Sequence, residues 1–193
     1  MNPERVTSLS LLERARHHDE PSWRRLVTLY GPLVEYWYRR GGARPEDAAD
    51  LTQEVFLAVS QGLERFERRG LGSFRGWVRG ITRHKLLDYY RRAEGKAAAA
   101  GGSTALERLH EIPDPQPGSD EDADEMSGLY RRALELIRGE FEERTWQAFW
   151  LTAVEGWEAP AAAAELGMSP VAVRIAKSRV LARLRAEAEE LIS

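Results

Sequence analysis

The sequence predicts an all-α chain of two small helical domains joined by a flexible acidic linker. Three observations carry that reading. Apolar residues recur at three- and four-residue spacing, the period of an amphipathic helix, in both halves of the chain. Strand-like alternation is missing from the first half. Between the halves the composition turns to alanine, then to proline, glycine and acid, which favours an unpacked connection over a core. The expected boundaries are a first domain over 1–94, a linker over 95–125 and a second domain over 126–193.

A short helix is expected over 8–18, with Leu9, Leu12 and Ala15 or Arg16 on successive turns. Pro21 suits the first turn of a longer helix, which carries Trp23, Leu26, Val27, Tyr30, Leu33, Val34 and Trp37. Gly31-Pro32 interrupts that run, so a kink or break is expected there. Gly41-Gly42 ends it. The next helix, over 44–66, opens with Pro45 and has Glu46 and Asp47 in its first turn, where the helix dipole favours acids. Its apolar positions are Ala48, Leu51, Val55, Phe56, Val59 and Leu63, and its other face carries Asp50, Gln53 and Glu54. Gly70 and Gly72 mark a loop into the stretch 73–92, SFRGWVRGITRHKLLDYYRR. There Phe74, Trp77, Val78 and Ile81 form an apolar stripe beside a basic one of Arg75, Arg79 and Arg83. The apolar period slips by one position at His84, so a loop is expected there before a helix with Leu86, Leu87 and Tyr90.

Within the linker, 104–112 has the pattern of one short helix. The second domain starts with a helix carrying Leu129, Ala133, Leu134, Leu136 and Ile137, ended by Gly139. A second helix, over 141–154, carries Trp146, Phe149, Trp150 and Val154, and Gly156 closes it. A short alanine-rich helix over 160–166 then leads through Gly167-Met168-Ser169 into a last helix that runs to about 190. Ser169 can cap that helix and Pro170 suits its first position. A short helix, a tight turn with glycine and a longer basic helix make a helix-turn-helix pattern. Val173, Ala176, Val180 and Leu184 are expected inward; Arg174, Lys177, Ser178, Arg179 and Arg183 are left outward or sideways.

Composition narrows the function. The chain has 193 residues, with 42% hydrophobic and 31% charged residues, enough for packed cores under a charged surface. With no cysteine there is no disulfide or thiolate metal site. The four histidines have no metal-ligand spacing, and no P-loop or nucleophile elbow is present, so neither cofactor nor catalytic residue is expected. No signal core or membrane-length apolar run occurs, which points to a cytoplasmic protein without membrane insertion. The net charge of −3 hides a segregation: cations gather over 75–96 and 174–185, acids over Asp120, Glu121, Asp122, Asp124 and Glu125. Cations interleaved with Trp, Tyr and His suit single-stranded nucleic acid, the cations tracking phosphate and the rings stacking on bases. An ordinary amphipathic helix with a solvated basic face gives the same pattern, and Trp77 also reads as a core residue.

Three blocks in order make the pattern specific: EDAADLTQEVFLAV, GSFRGWVRGITRHKLLDYYRR and EGWEAPAAAAELGMSPVAVRIAKSRVLARLR. Together they resemble bacterial RNA polymerase sigma factors, of the two-domain extracytoplasmic-function (ECF) type in the sigma-70 family. The resemblance implies a region-2-like first domain and a region-4-like second domain. It implies that Asp50, Gln53 and Glu54 dock on core RNA polymerase, through its β′ subunit, with β the other core contact. It implies that Trp77, Arg79, Arg83, His84, Lys85, Arg91 and Arg92 engage the promoter −10 element. Arg174, Lys177, Ser178 and Arg179 would read the −35 element, with Lys177 nearer the phosphates. Sigma factors of this type commonly have an anti-sigma protein, though nothing in the sequence shows one. This chain departs from the family pattern at His84, where Asn is frequent, at VAVRIAKSRV, and at Pro160, which suggests a late start for its helix. The implied function is a promoter-specificity subunit that recognises the −35 and −10 elements and promotes DNA opening. The alternative is a conventional helix-turn-helix regulator with an N-terminal helical interaction domain; it leaves Trp77, His84 and the Asp50 face unexplained.

Overall fold

A computed structural model describes residues 11–66, 74–97 and 119–192. Every regular element among them is helical. The chain divides into two compact units whose boundary falls between Leu129 and Tyr130. The loop at Gly70 and Gly72, the short helix over 104–112 and most of the linker lie outside the described residues.

The first unit is built on α1 (Leu11–Arg16), α2 (Glu20–Arg40), α3 (Pro45–Gly62) with a 3-10 turn (Leu63–Arg65), and α4 (Phe74–Ala97). The Asp19 carboxylate caps α2 by accepting from the Ser22 N–H at 3.0 Å, and Pro21 sits in its first turn. The core comes from one face of each long helix: Leu26, Leu29, Tyr30, Leu33 and Val34 of α2, Leu51, Val55 and Val59 of α3, and Phe74, Val78, Leu86 and Tyr90 of α4. Arg16 donates to the carbonyls of Leu63 and Phe66, which ties α1 to the end of α3.

Two expectations are corrected here. First, α2 does not break at Gly31-Pro32; it is one helix from Glu20 to Arg40. Proline inside a helix costs about 3 kcal/mol, because it removes one hydrogen bond and crowds the preceding turn. Here Pro32 and Thr28, whose carbonyl loses its donor, both face solvent, so water can serve that carbonyl. Buried Leu29, Tyr30, Leu33 and Val34 straddle the site, and each large apolar side chain buried contributes about 1.5–3 kcal/mol. Packing overrides the local signal.

Second, there is no loop at His84. α4 runs unbroken from Phe74 to Ala97, with His84 mid-helix and exposed. Thr82 explains the apparent slip in period. It is buried on the stripe Phe74, Val78, Thr82, Leu86, Tyr90, and its hydroxyl donates to the Val78 carbonyl at 2.9 Å. A polar residue satisfied by its own helix fills a core position that hydrophobic periodicity passes over.

α5 (Asp120–Arg138) crosses the boundary between the units. The expected linker ran to 125, yet Asp120 to Glu125 are already helical. Asp120, Glu121 and Asp122 stand in the first turn, where acids are favoured by the helix dipole, and the Ser119 hydroxyl accepts from the Asp122 N–H at 3.2 Å.

The second unit contains the rest of α5, then α6 (Glu143–Phe149), a wider π turn (Trp150–Val154), α7 (Ala159–Leu166) and, as far as Glu190, α8 (Pro170–Ile192). Pro160 stands in the first turn of α7, so that helix starts at Ala159, with no delay. α7 and α8 form the helix-turn-helix. Ala162 and Ala163, both buried, let Val173 and Ala176 of α8 approach closely. Gly167 ends α7 at φ 60°, a left-handed conformation that glycine adopts without Cβ strain, and the Met168 N–H donates to the Ala163 carbonyl at 2.9 Å. The Ser169 hydroxyl then caps α8 by accepting from the Ala172 N–H at 3.1 Å.

Candidate nucleic-acid and polymerase interfaces

On α3, Asp50 and Gln53 are exposed while Glu54 is half-buried. The Glu54 carboxylate accepts from the Arg92 guanidinium at 3.2 Å and lies 3.7 Å from the Lys85 ammonium. One residue expected to meet the polymerase is thereby joined to two expected to meet DNA. Beneath them Tyr38 is fully buried, and its hydroxyl finds no partner among the described residues. Burial, and then the Glu54 charge, push that phenol above its usual range.

Sequence reasoning missed the groove next to this face. It is about 550 Å³ and is lined by Trp23, Val27, Gln53, Phe56 and Leu57 among others. Trp23 and Phe56 meet edge to face with centroids 6.2 Å apart, and Leu57 is 60% exposed. Leu57 was the available signal, since it interrupts an otherwise polar helix face.

On α4 the expected strand-binding residues separate into groups. Trp77 is half-buried against Phe66 and Phe74, at centroid distances of 4.8 and 5.6 Å. Its ring lies so close to α3 that a Cβ at Gly62 would stand 2.9 Å from it. Trp77 thus packs on the core of the first unit with part of its ring surface left exposed. Arg83 is half-buried, and Arg91 is exposed with Asp88 at 3.7 Å. The His84 ring Nδ1 is 2.7 Å from the Gly80 carbonyl. The argument for His84 as a loop-borne acceptor of a flipped base falls with the loop.

Arg79 is different again. Its guanidinium lies over the Trp37 ring at 5.1 Å and 3.4 Å from the Glu125 carboxylate. Arg75 pairs with Glu125 at 3.2 Å and also with Asp122. The Trp37 indole donates to Glu125 at 2.7 Å, and Arg40 pairs with Glu121. The basic stripe of α4 thus meets the acidic start of α5 within the first unit.

On α8, Val173, Ala176, Val180 and Leu184 are buried as expected, and Arg174, Ser178 and Arg179 are exposed. Lys177 is turned aside: its ammonium donates to the Thr152 carbonyl at 3.1 Å, pinning the π turn to α8. Arg183 pairs with Glu140 at 2.6 Å. The exposed face also carries Val171 and Ile175, at 59% and 54% exposure, which sequence reasoning left out. They sit at helical spacing from Arg174, Ser178 and Arg179, so cationic and apolar groups share one face.

No metal-binding group of His, Asp or Glu occurs among the described residues. No helix among them is long and apolar enough to cross a membrane.

The sigma-70 region 2 family model matches residues 26–95. A curated relative, the ECF RNA polymerase sigma factor ShbA of Streptomyces griseus, is 34% identical over 188 residues, covering 94% of this chain and 95% of that protein. The RNA polymerase sigma factor CnrH of Cupriavidus metallidurans is 28% identical, covering 96% of each. A solved structure of CnrH in complex with the cytosolic domain of CnrY matches with 24% identity and a TM-score of 0.34, covering 91% of this chain and 93% of that one.

Proposed function

The chain belongs to the ECF RNA polymerase sigma factors of the sigma-70 family, and from that membership we propose how its surfaces divide the work of starting transcription. Sigma factors are regulatory transcription subunits, not enzymes; the two units here would bind core polymerase, read a promoter and help open it.

The observation that carries the division is the segregation of surface chemistry. The first unit has an acidic and polar face with an apolar groove on one side and the cations of α4 on another. The second unit has an exposed cationic and apolar face on the second helix of a helix-turn-helix. Asp50 and Gln53, with Glu54 at the edge and the Trp23–Leu57 groove beside them, form the proposed polymerase contact; a carboxylate face repels phosphate. Arg79, Arg83, Lys85, Arg91 and Arg92 form the proposed strand contact. His84 joins them as an exposed helix residue, and Trp77 supports α4 from within. Opening would then be driven by binding energy for the unpaired strand, at an unstacking cost of a few kcal/mol per base. Arg174, Ser178 and Arg179 would enter the major groove at the −35 element. Lys177, held by Thr152, would orient α8 and leave base contact to its neighbours. The conventional-regulator alternative accounts for the second unit only.

Asp50→Lys is the sharper test of the polymerase contact, since Glu54 is also tied to Arg92 and Lys85. The variant should fold normally and bind core polymerase at least about tenfold more weakly, the loss of roughly 1.4 kcal/mol. Unchanged affinity in a folded variant removes Asp50 from the interface.

A further inference from the structure

The first turns of α5 place three carboxylates on three guanidiniums of the promoter-facing unit. Glu121 meets Arg40, Asp122 meets Arg75, and Glu125 meets both Arg75 and Arg79. The coverage is close: the side chains of Arg75 and Arg79 keep 17% and 16% of their exposure, and that of Glu125 keeps 3%. Trp37 is drawn in as well, donating to Glu125 and lying under Arg79. A carboxylate and a phosphate present the same acceptor geometry to a guanidinium fork, so what holds one suits the other. The acidic segment therefore occupies the cations as a polyanion would.

We propose that the segment from Asp120 to Glu125 is an internal competitor for the promoter strand. It covers Arg40, Arg75 and Arg79 in the free chain and leaves when single-stranded DNA takes its place. The inference rests on the strand-binding reading of α4 given above. It adds Arg40, Arg75 and Trp37 to that surface and gives the acidic run a function. Glu125, its side chain 3% exposed, anchors the segment, while the rim of the cluster is partly solvated. Ion pairs at a partly solvated edge, such as Arg40 with Glu121, exchange one anion for another at little net cost.

The test uses the full-length free chain and fluorescein-labelled oligo-dT. A variant with Glu121→Gln, Asp122→Asn and Glu125→Gln should bind about tenfold more tightly than wild type, inside the usual range for coupled sites. Its affinity should also fall more steeply with salt, by about 2 in the log–log slope. Three uncovered cations release counterions that the wild type, already neutralised, does not. A purely structural cluster would not steepen the slope. Equal affinity and equal slope overturn the competition and leave the strand-binding reading standing; binding by neither chain overturns both. Hydrogen exchange on wild type decides the matter even where the variant fails to fold. Amides of 120–125 should exchange faster once oligo-dT is added, and unchanged or slower exchange there overturns the proposal.

Discussion

At Trp77 and Asp47 single contacts decide what a residue is for. Trp77 packs on Phe66 and Phe74 against the Cα of Gly62, so its removal should act first on stability. Trp77→Ala should lower the unfolding free energy by about 1–3 kcal/mol, below the scale for a fully buried aromatic because the ring keeps part of its surface exposed. Gly62→Ala should also destabilise, since the added methyl meets the indole at 2.9 Å. Urea titration measures both; a Trp77→Ala chain as stable as wild type would return Trp77 to the strand-contacting set. Asp47 accepts from the Tyr89 hydroxyl at 2.8 Å and from Arg44 at 3.0 Å. The Tyr89 hydrogen bond, ahead of the Arg44 charge, holds its carboxyl below the ordinary value. A carboxyl lowered by folding contributes stability above its unfolded pKa of about 3.9 and loses it as pH falls through the folded value. Tyr89→Phe should therefore raise the Asp47 pKa, read by carboxyl NMR, and weaken this contribution at mildly acidic pH; an unmoved pKa contradicts the assigned cause.

At the scale of elements, α8 is where composition and exposure agree best. Val173, Ala176, Val180 and Leu184 are buried, leaving Val171, Arg174, Ile175, Ser178 and Arg179 on the opposite side. Exposed branched side chains between cations suit the thymine methyl in a major groove. Ile175→Ala should weaken binding to the preferred −35 duplex, and replacing the contacted thymine by uracil should cost the wild type the same amount and the variant nothing further. Arg179→Ala should cost about 1–3 kcal/mol at one base pair if its contact is bidentate to guanine. A loss spread evenly over all sequences would make Arg179 a phosphate contact. The helix-turn-helix was legible because each of its signals is local: alanines for close approach, Gly167 for the turn, Ser169 for the cap. The breaks expected at Pro32 and His84 were misread because tertiary packing decides them. Pro32 is carried by the core on either side of it, and Thr82 occupies a core position while being polar. The α5 contacts were not legible either. Sequence showed the cations and the acids as separate runs, and only folding puts Glu125 against Arg75 and Arg79.

At the scale of the whole molecule, the proposed polymerase and strand contacts lie on one unit and the proposed −35 contacts on the other, and membership of the ECF sigma factors is the setting in which they would combine. The groove beside Gln53 and the pairing of Glu54 with Arg92 place the proposed polymerase and strand contacts on neighbouring helices of one unit. If both proposed contacts form, docking at Glu54 would act directly on Lys85 and Arg92, the cations it pairs with. Transcription in vitro with purified core polymerase, read by mapping the 5′ ends of the transcripts, tests this account most directly. With the chain added, starts should gather downstream of a shared pair of sequence elements, Arg174→Ala together with Arg179→Ala should abolish them, and core alone should give none. Starts unaffected by the chain, or a chain that binds the promoter duplex tightly while never associating with core, would contradict it.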